Sequence, residues 1–172
     1  MRTRRKEGEV PDPRSRWDEI TGRLWMGGHV WIDGDERRRP VVVNREFDLV
    51  VSLFTRQGHG PPAGVEHRIL PIPDDPLTAR EIDRVRELAV VTADALRGGR
   101  SVLVRCHSGY NRSGLLVAQT LIEMGLDAGD AIDRVRQRRS PWALHNEIFE
   151  QYLMTGLHVA ALLTDLEPPT ML

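Results

Sequence analysis

The stretch that most constrains the fold runs from Ser101 to Gly125 and reads SVLVRCHSGYNRSGLLVAQTLIEMG. Ser101 to Val104 form a short apolar run without polar alternation, which is typical of a strand buried on both faces. The apolar spacing from about Arg112 to Met124, ended by Gly125, predicts a helix. The polar segment between them is therefore predicted to be a tight loop that joins a strand directly to a helix N-terminus.

Short apolar runs and helical patterns alternate along the rest of the chain. Strands are predicted over Leu24–Gly28, Phe47–Leu53 and Val65–Ile72. Helices are predicted from Thr78 (with Glu81 at capping-box spacing) to Gly98, over Ala128–Arg139, and from Ser140-Pro141 to about Leu163. This alternation predicts an α/β fold with a central, mostly parallel sheet flanked by helices on both faces.

The remaining composition predicts one domain behind a polar N-terminal segment. Residues 1–16 are basic and contain Pro11 and Pro13, which predicts a flexible tail, and residues 17–165 form the single predicted domain. The net charge of −1 gives no bulk electrostatic reason to expect a nucleic-acid partner. No apolar run approaches the roughly 18 residues of a membrane span, so we expect no membrane partner and a cytoplasmic protein. The oligomeric state is left open.

Cys106, the only cysteine of the 172 residues, lies in the loop before the predicted helix. A single cysteine excludes an internal disulfide. The free N–H groups and the dipole of a helix N-terminus form a cradle for an anion, and Gly109 lets the loop curl without a Cβ clash. We expect a thiol facing this cradle to ionise readily and to act as a nucleophile directed at phosphorus. Arg112 adds a planar fork that can hold two phosphate oxygens.

A leaving group needs a proton, which a carboxylic acid facing the loop could supply. Asp74 and Asp75 follow the strand that ends near Ile72, so they are predicted to lie at the same edge of the sheet as the loop. Asp beside Pro is also common turn chemistry, and the residues alone leave the choice between the two open. The six histidines show no metal-ligand spacing, so we expect no metal site among them.

The segment VLVRCHSGYNRSG resembles the signature loop of the cysteine-dependent protein tyrosine phosphatases, C-x-x-G-x-x-R-S/T. The resemblance extends from about Ile20 to Leu153 and favours the compact dual-specificity branch. LPIPDD is similar to the general-acid loop of that branch, about 32 residues before the cysteine. The resemblance implies a protein-tyrosine-phosphatase-like fold and hydrolysis of a phosphate monoester through a phosphocysteine intermediate, with no metal and no cofactor.

The resemblance also implies a role for each site residue. Cys106 would be the nucleophile, Arg112 would bind the phosphoryl group, and Ser113 would hydrogen-bond the thiolate and help it leave. Asp74 best matches the general acid, with Asp75 in reserve. The substrate phosphate would be bound by His107, Ser108, Gly109, Tyr110, Asn111 and Arg112.

One departure from the family lies beside the nucleophile, where Arg105 replaces the usual histidine. An arginine supplies positive charge but not the same hydrogen bonds.

The leading hypothesis is a protein phosphatase acting on phosphotyrosine. Phosphoserine and phosphothreonine are further candidates, because so short a chain leaves no room for a large insertion that would deepen the cleft, and a shallow cleft would admit all three. GYNRSG also resembles the loop of RNA 5′-triphosphatases in this superfamily, which leaves RNA ends or a small metabolite as alternative substrates. A catalytically weak phosphate-binding module, suggested by Arg105, is the remaining alternative.

Overall fold

A five-stranded mixed sheet forms the centre of the structure, a computed structural model that describes residues 10–166. Its strands, in chain order, are β1 (Trp17–Thr21), β2 (Leu24–Gly27), β5 (Leu49–Ser52), β6 (Glu66–Ile69) and β7 (Val102–Arg105). Between β2 and β5 the chain forms a separate two-stranded hairpin of β3 (Val30–Ile32) and β4 (Arg38–Pro40).

The strand order β1-β2-β7-β5-β6 places β7 in the middle of the sheet. β1 runs antiparallel to β2, whereas β2, β5, β6 and β7 run parallel. The carboxyl ends of these four strands therefore meet at one edge. The mostly parallel α/β sheet predicted from the sequence is confirmed, and the loop that holds Cys106 leaves the middle strand at that edge.

The described residues contain five helices, of which the first lies between β6 and β7 and the other four follow β7. They are α1 (Ala79–Arg97), α2 (Arg112–Glu123), α3 (Ala128–Arg138), α4 (Glu147–Thr155) and α5 (Leu157–Leu166). The capping box predicted for α1 is present: Glu81 N–H donates to the Thr78 hydroxyl at 3.1 Å, and Thr78 N–H donates to the Glu81 carboxylate at 2.9 Å.

The prediction of a single helix from Ser140 to about Leu163 is wrong. Residues 141–144 form turns, and two helices, α4 and α5, follow. Leu144 has a φ of +58°, which an α-helix cannot contain, and Asn146 caps α4 by accepting from the N–H groups of Ile148 and Phe149. Gly156, with a φ of +96°, then separates α4 from α5.

The apolar core identifies what covers each face of the sheet. Alternate strand residues, such as Val102 and Val104 of β7, pack with the buried side chains of all five helices on one face. Leu103 of β7 points to the other face and packs with Val43 and Phe47. We predicted helices on both faces, but the segment around residues 41–47, which forms neither strand nor helix, covers this second face together with three partly buried side chains, those of Trp17, Trp25 and Val65.

Part of the predicted N-terminal tail contacts the β3–β4 hairpin and the loop that holds Cys106. The carbonyl of Pro13 accepts from Ile32 N–H at 2.8 Å, and the carbonyl of Pro11 accepts from the Tyr110 hydroxyl at 2.8 Å. Ser15 accepts from Arg139 at 3.1 Å. Packing thus begins before Trp17, while residues 1–9 of the predicted tail lie outside the described residues.

We predict that Thr78→Ala lowers the free energy of unfolding by about 1 kcal/mol, because the first turn of α1 loses its cap. Thr78→Ser is the matched control, since it keeps the hydroxyl acceptor and should remain within a few tenths of the parent value. Urea denaturation of the three proteins measures the difference. Equal losses for the alanine and serine variants would show that the hydroxyl is not the stabilising group.

Candidate active site

The site is assembled from the segments that follow the parallel strands. Leu53 N–H donates to the Arg105 carbonyl at 2.9 Å, which fixes the start of the loop after β5 beside the end of β7. Ile72 N–H donates to the Leu53 carbonyl at 3.3 Å and brings the segment after β6 to the same edge. Asp74 therefore lies next to the loop that begins at Cys106, as the sequence predicted.

The backbone of the loop is held with its carbonyl groups pointing outward. The carbonyls of the five consecutive residues 107–111 all accept hydrogen bonds from the surrounding protein. Those of Ser108 and Gly109 accept from the Arg139 guanidinium. The other three accept from backbone N–H groups: His107 from His29, Tyr110 from Leu144, and Asn111 from Leu115. In a trans peptide the C=O and the following N–H point in opposite directions. The N–H groups of residues 108–112 are thus turned toward the centre of the loop, where they form a nest for an anion.

Gly109 is required for this curl. Its φ is +73°, and a Cβ at this position would lie 2.5 Å from the carbonyl carbon and oxygen of Gly27. A side chain would push the loop away from the end of β2. The sequence-based interpretation of Gly109 as the residue that lets the loop turn is consistent with this geometry.

Cys106 and Ser113 lie together at the base of the nest. The Cys106 side chain is in the core with 2% of the residue exposed, and its Sγ is 3.2 Å from the Oγ of Ser113, a buried residue in the first turn of α2. Cys106 N–H donates to the Gly27 carbonyl at 3.4 Å. The sulfur therefore lies close to the start of the α2 helix, where the N–H groups and the helix dipole favour negative charge.

Arg112 starts α2, and two contacts with neighbouring segments fix its guanidinium. Its Nη1 donates to the Ile72 carbonyl at 3.4 Å, and its Cζ lies 5.4 Å from the centre of the Phe54 ring. Its buried Nε has no hydrogen-bond partner within residues 10–166. The side chain is thus held beside the nest with donor capacity still available for an anion.

Asp74 is fixed by two side-chain amides. Asn111 Nδ2 donates to one carboxylate oxygen at 2.9 Å, and Asn146 Nδ2 donates to the other at 2.8 Å. Asn146 N–H in turn donates to Asn111 Oδ1 at 3.0 Å. Asp75 makes no such bond within the described part of the chain, so the structure brings Asp74 and not Asp75 to the loop.

His145 also contacts this group. Its Nε2 is 3.0 Å from Asn111 Nδ2, which can only donate, so Nε2 accepts. Burial lowers the pKa of His145 although the Asp74 carboxylate opposes the shift. A neutral imidazole is therefore the form that fits the observed contact.

Arg139 is a site residue that the sequence reasoning missed. Its side chain is 0% exposed and is paired with Asp18 at 2.8 Å. Its Nε donates to the Gly109 carbonyl and its Nη2 to the Ser108 carbonyl, both at 3.1 Å. No local pattern marks this arginine among its neighbours in RQRRS, because its partners lie about 30 residues earlier in the loop.

Arg105, the residue that departs from the family pattern, is fully buried at the end of β7. Its guanidinium donates to the carbonyls of Gly28 at 3.1 Å, Val41 at 2.9 Å and His59 at 3.0 Å. It also donates to His29 Nδ1 at 3.1 Å. Arg105 therefore connects the end of β7 to three other segments of the chain, those at residues 28–29, 41 and 59.

No family model and no curated protein sequence matches this chain. Solved structures do: human DUSP28 aligns with a TM-score of 0.63 at 19% identity, over 83% of this chain and 97% of its own. Tk-PTP in its active form has a TM-score of 0.61 at 25% identity, over 84% of this chain and 97% of its own. The tyrosine phosphatase OH1 from the Orf virus has a TM-score of 0.56 at 18% identity, and the alignment covers 84% of this chain and 87% of OH1. This chain has the fold of the cysteine-dependent protein tyrosine phosphatases.

Among residues 10–166, none of the helices has both the length and the hydrophobicity that a membrane span requires. The same residues contain no group of three or more His, Cys, Asp or Glu side chains placed to hold a metal ion.

We predict that Arg139→Met weakens the binding of inorganic phosphate about ten- to hundredfold, because the carbonyls of Ser108 and Gly109 lose their charged donor and the nest loses its shape. Isothermal titration calorimetry with phosphate measures the change. Arg138→Met is the matched control, because Arg138 is the exposed last residue of α3, next to Arg139, and this variant should bind phosphate like the parent. Equal affinities of the Arg139→Met variant and the parent would show that the loop holds its shape without this residue.

Proposed function

We propose that the protein hydrolyses phosphate monoesters, with phosphorylated proteins as substrates and Cys106 as the nucleophile. The observation that carries the proposal is the nest of inward N–H groups of residues 108–112, with the sulfur at its base and the Arg112 guanidinium beside it. A tetrahedral dianion matches a ring of donors next to a planar cationic fork. In the proposed complex, the thiol faces the phosphorus of the bound dianion.

In the first step the Cys106 thiolate attacks phosphorus and an S–P bond forms while the bond from phosphorus to the leaving oxygen breaks. The nest amides and Arg112 stabilise the charge on the three equatorial oxygens. Asp74, in its protonated form, gives its proton to the leaving oxygen, so that an alcohol or phenol departs. The products of this step are the free alcohol and a phosphocysteine.

In the second step water attacks the phosphocysteine and the S–P bond breaks. The Asp74 carboxylate takes a proton from the attacking water, which restores its acidic form for the next cycle. Ser113, 3.2 Å from the sulfur, donates a hydrogen bond to the thiolate as it leaves. Inorganic phosphate is released and the nucleophile is regenerated.

Phosphotyrosine is the substrate we place first. The Phe54 ring lies beside Arg112 and edge-on to His107, with ring centres 5.4 Å apart, so an apolar surface adjoins the nest. An aryl ring attached to a bound phosphate could pack against it. Phosphoserine and phosphothreonine remain candidates, and OH1, which shares the fold, is a tyrosine phosphatase with triple substrate specificity.

An RNA 5′-triphosphatase is the second candidate, because the segment GYNRSG, which contains Asn111, resembles the loop of those enzymes. Here the Asn111 side chain holds Asp74, a contact that serves monoester hydrolysis equally well. Release of phosphate from a phosphotyrosine peptide, a phosphothreonine peptide and a 5′-triphosphate RNA ranks the candidates. A phosphate-binding module would retain the phosphopeptide and release nothing.

We predict that Cys106→Ser abolishes hydrolysis of 4-nitrophenyl phosphate while the protein still binds inorganic phosphate, because the nest does not depend on the sulfur. The matched control is Ser108→Ala, which removes a neighbouring loop hydroxyl and leaves the sulfur in place. Stopping the parent reaction with acid should trap one phosphate per chain on Cys106. A serine variant that turns over at the parent rate would refute the assignment of the nucleophile.

We predict that Asp74→Asn lowers the rate on phenyl phosphate by about 10²–10⁴-fold and removes the basic limb of its pH–rate profile, because the leaving phenoxide goes unprotonated. The loss should be smaller with 4-nitrophenyl phosphate, whose leaving group needs less help. Asp75→Asn is the matched control and should keep both the rate and the profile. The opposite pattern between the two variants would move the general acid to Asp75.

A further inference from the structure

The Arg105 guanidinium is a charged group buried immediately before the nucleophile, and its surroundings are neutral. Its four hydrogen bonds go to three backbone carbonyls and one imidazole nitrogen. Its Nε is buried without a partner in residues 10–166. A buried charge is costly unless an opposite charge lies nearby.

The histidines around Arg105 do not provide that opposite charge. Because a guanidinium only donates, His29 Nδ1 must accept from it, and His29 Nε2 then donates to the Phe54 carbonyl at 3.0 Å. Burial and the charge of Arg105 lower the pKa of His29 to about 3. Burial, with a contribution from Arg105, also lowers the pKa of His59 and of His67. All three rings are therefore neutral near pH 7.

Burial lowers the pKa of Arg105 to about 10, so the side chain remains positively charged near neutral pH. Within the described residues, Cys106 is the ionisable group whose negative charge favours the charged form of Arg105. Arg105 and Cys106 are consecutive residues, so the buried positive charge belongs to the residue next to the sulfur. The two side chains lie on opposite sides of the backbone, because residue 105 shares the strand face of Leu103, on the second side of the sheet, while Cys106 belongs to the helix-side core.

We propose that Arg105 is a positioning residue whose fixed charge is the counter-ion of the Cys106 thiolate and whose hydrogen bonds hold the back of the loop in place. The inference rests on the proposed function only in taking Cys106 as the nucleophile. A histidine at position 105 would gain and lose its charge near neutral pH. The arginine keeps its charge throughout that range, so the thiolate fraction no longer depends on a second titrating group there.

The contacts of Arg105 explain how one side chain acts on the loop without touching the substrate. Arg105 donates to the carbonyl of Gly28. The preceding residue, Gly27, is the one against which Gly109 of the loop packs. The backbone N–H of His29, whose imidazole accepts from Arg105, donates to the His107 carbonyl at 2.7 Å. The charge and the loop geometry are therefore supplied by the same buried cluster.

Alkylation of the thiol by iodoacetamide, followed across pH, tests this inference directly. Cys106 is the only cysteine, so the reaction reports one thiol without background. The comparison uses the full chain, Arg105→Met, Arg105→Lys and Arg105→His. Arg56→Met is the matched control, because it removes an exposed positive charge that also acts on His59 and His107 but lies outside the cluster.

We expect Arg105→Met to alkylate about tenfold more slowly on the acidic side of the profile, which corresponds to a shift of about one pH unit. Arg105→Lys should stay within about threefold of the parent. Arg105→His should add a second inflection near the ordinary titration range of histidine. Arg56→Met should leave the profile in place.

A folded Arg105→Met variant with the parent profile would overturn the proposal. If the methionine variant does not fold, the lysine and histidine variants decide by their profiles. Loss of folding in all three, including the lysine variant that keeps the charge, would assign Arg105 a structural role alone and would likewise overturn it. Alkylation does not require turnover, so this result is independent of whether the Cys106→Ser experiment supports a phosphatase.

Discussion

The direction of the carbonyl groups in residues 107–111 governs the organisation of the whole edge of the sheet. A loop that turns its N–H groups inward leaves its carbonyls facing protein, and a buried carbonyl without a donor is costly. The donors come from the segment after β2, from the end of α3, from the turn before α4 and from α2 itself. The positive φ of Leu144 is explained in the same way, because that conformation directs its N–H to the Tyr110 carbonyl at 3.0 Å. Elements that look unrelated along the chain thus share the task of holding one loop.

The charges at the site are local and are not reflected in the net charge of −1. Two buried guanidiniums flank the loop, Arg139 with its carboxylate partner Asp18 and Arg105 with neutral acceptors only. Arg112 adds a third guanidinium at the open side, and the start of α2 adds its dipole. At short range, inside a site of low dielectric constant, these groups outweigh the mixed charges of the surface. Bulk composition therefore gives no reason to expect a nucleic-acid partner, and it cannot reveal a candidate anion site either.

The parts of the structure that could be predicted are those whose determinants are contiguous. The strand, loop and helix around Cys106 lie within 25 residues, and the cap of α1 depends on Thr78 and Glu81, three positions apart. The parts that could not be predicted depend on partners distant in sequence. Arg139 is the same residue type as Arg136 and Arg138 and differs from them in reaching the carbonyls of Ser108 and Gly109. Residues 140–144 have a composition that favours a helix, but the hydrogen bond of Leu144 to the loop replaces the helix with a turn. The second face of the sheet is covered by residues 41–47 because Val43 and Phe47 meet Leu103 there, a pairing that no local periodicity encodes.

The contacts of Asp74, the proposed general acid, show how the loop and this carboxylate are coupled. Asn111 contributes both a backbone N–H to the nest and a side-chain amide to Asp74. Asn146 holds the other carboxylate oxygen, and its own Oδ1 is fixed by two N–H groups at the start of α4. The carboxylate is therefore attached to the N-terminus of a helix through amides that are themselves hydrogen-bonded, which leaves little conformational freedom to lose when substrate arrives. In the proposed reaction, the same residue that helps to bind the phosphoryl group thus also sets the position from which the leaving oxygen receives its proton.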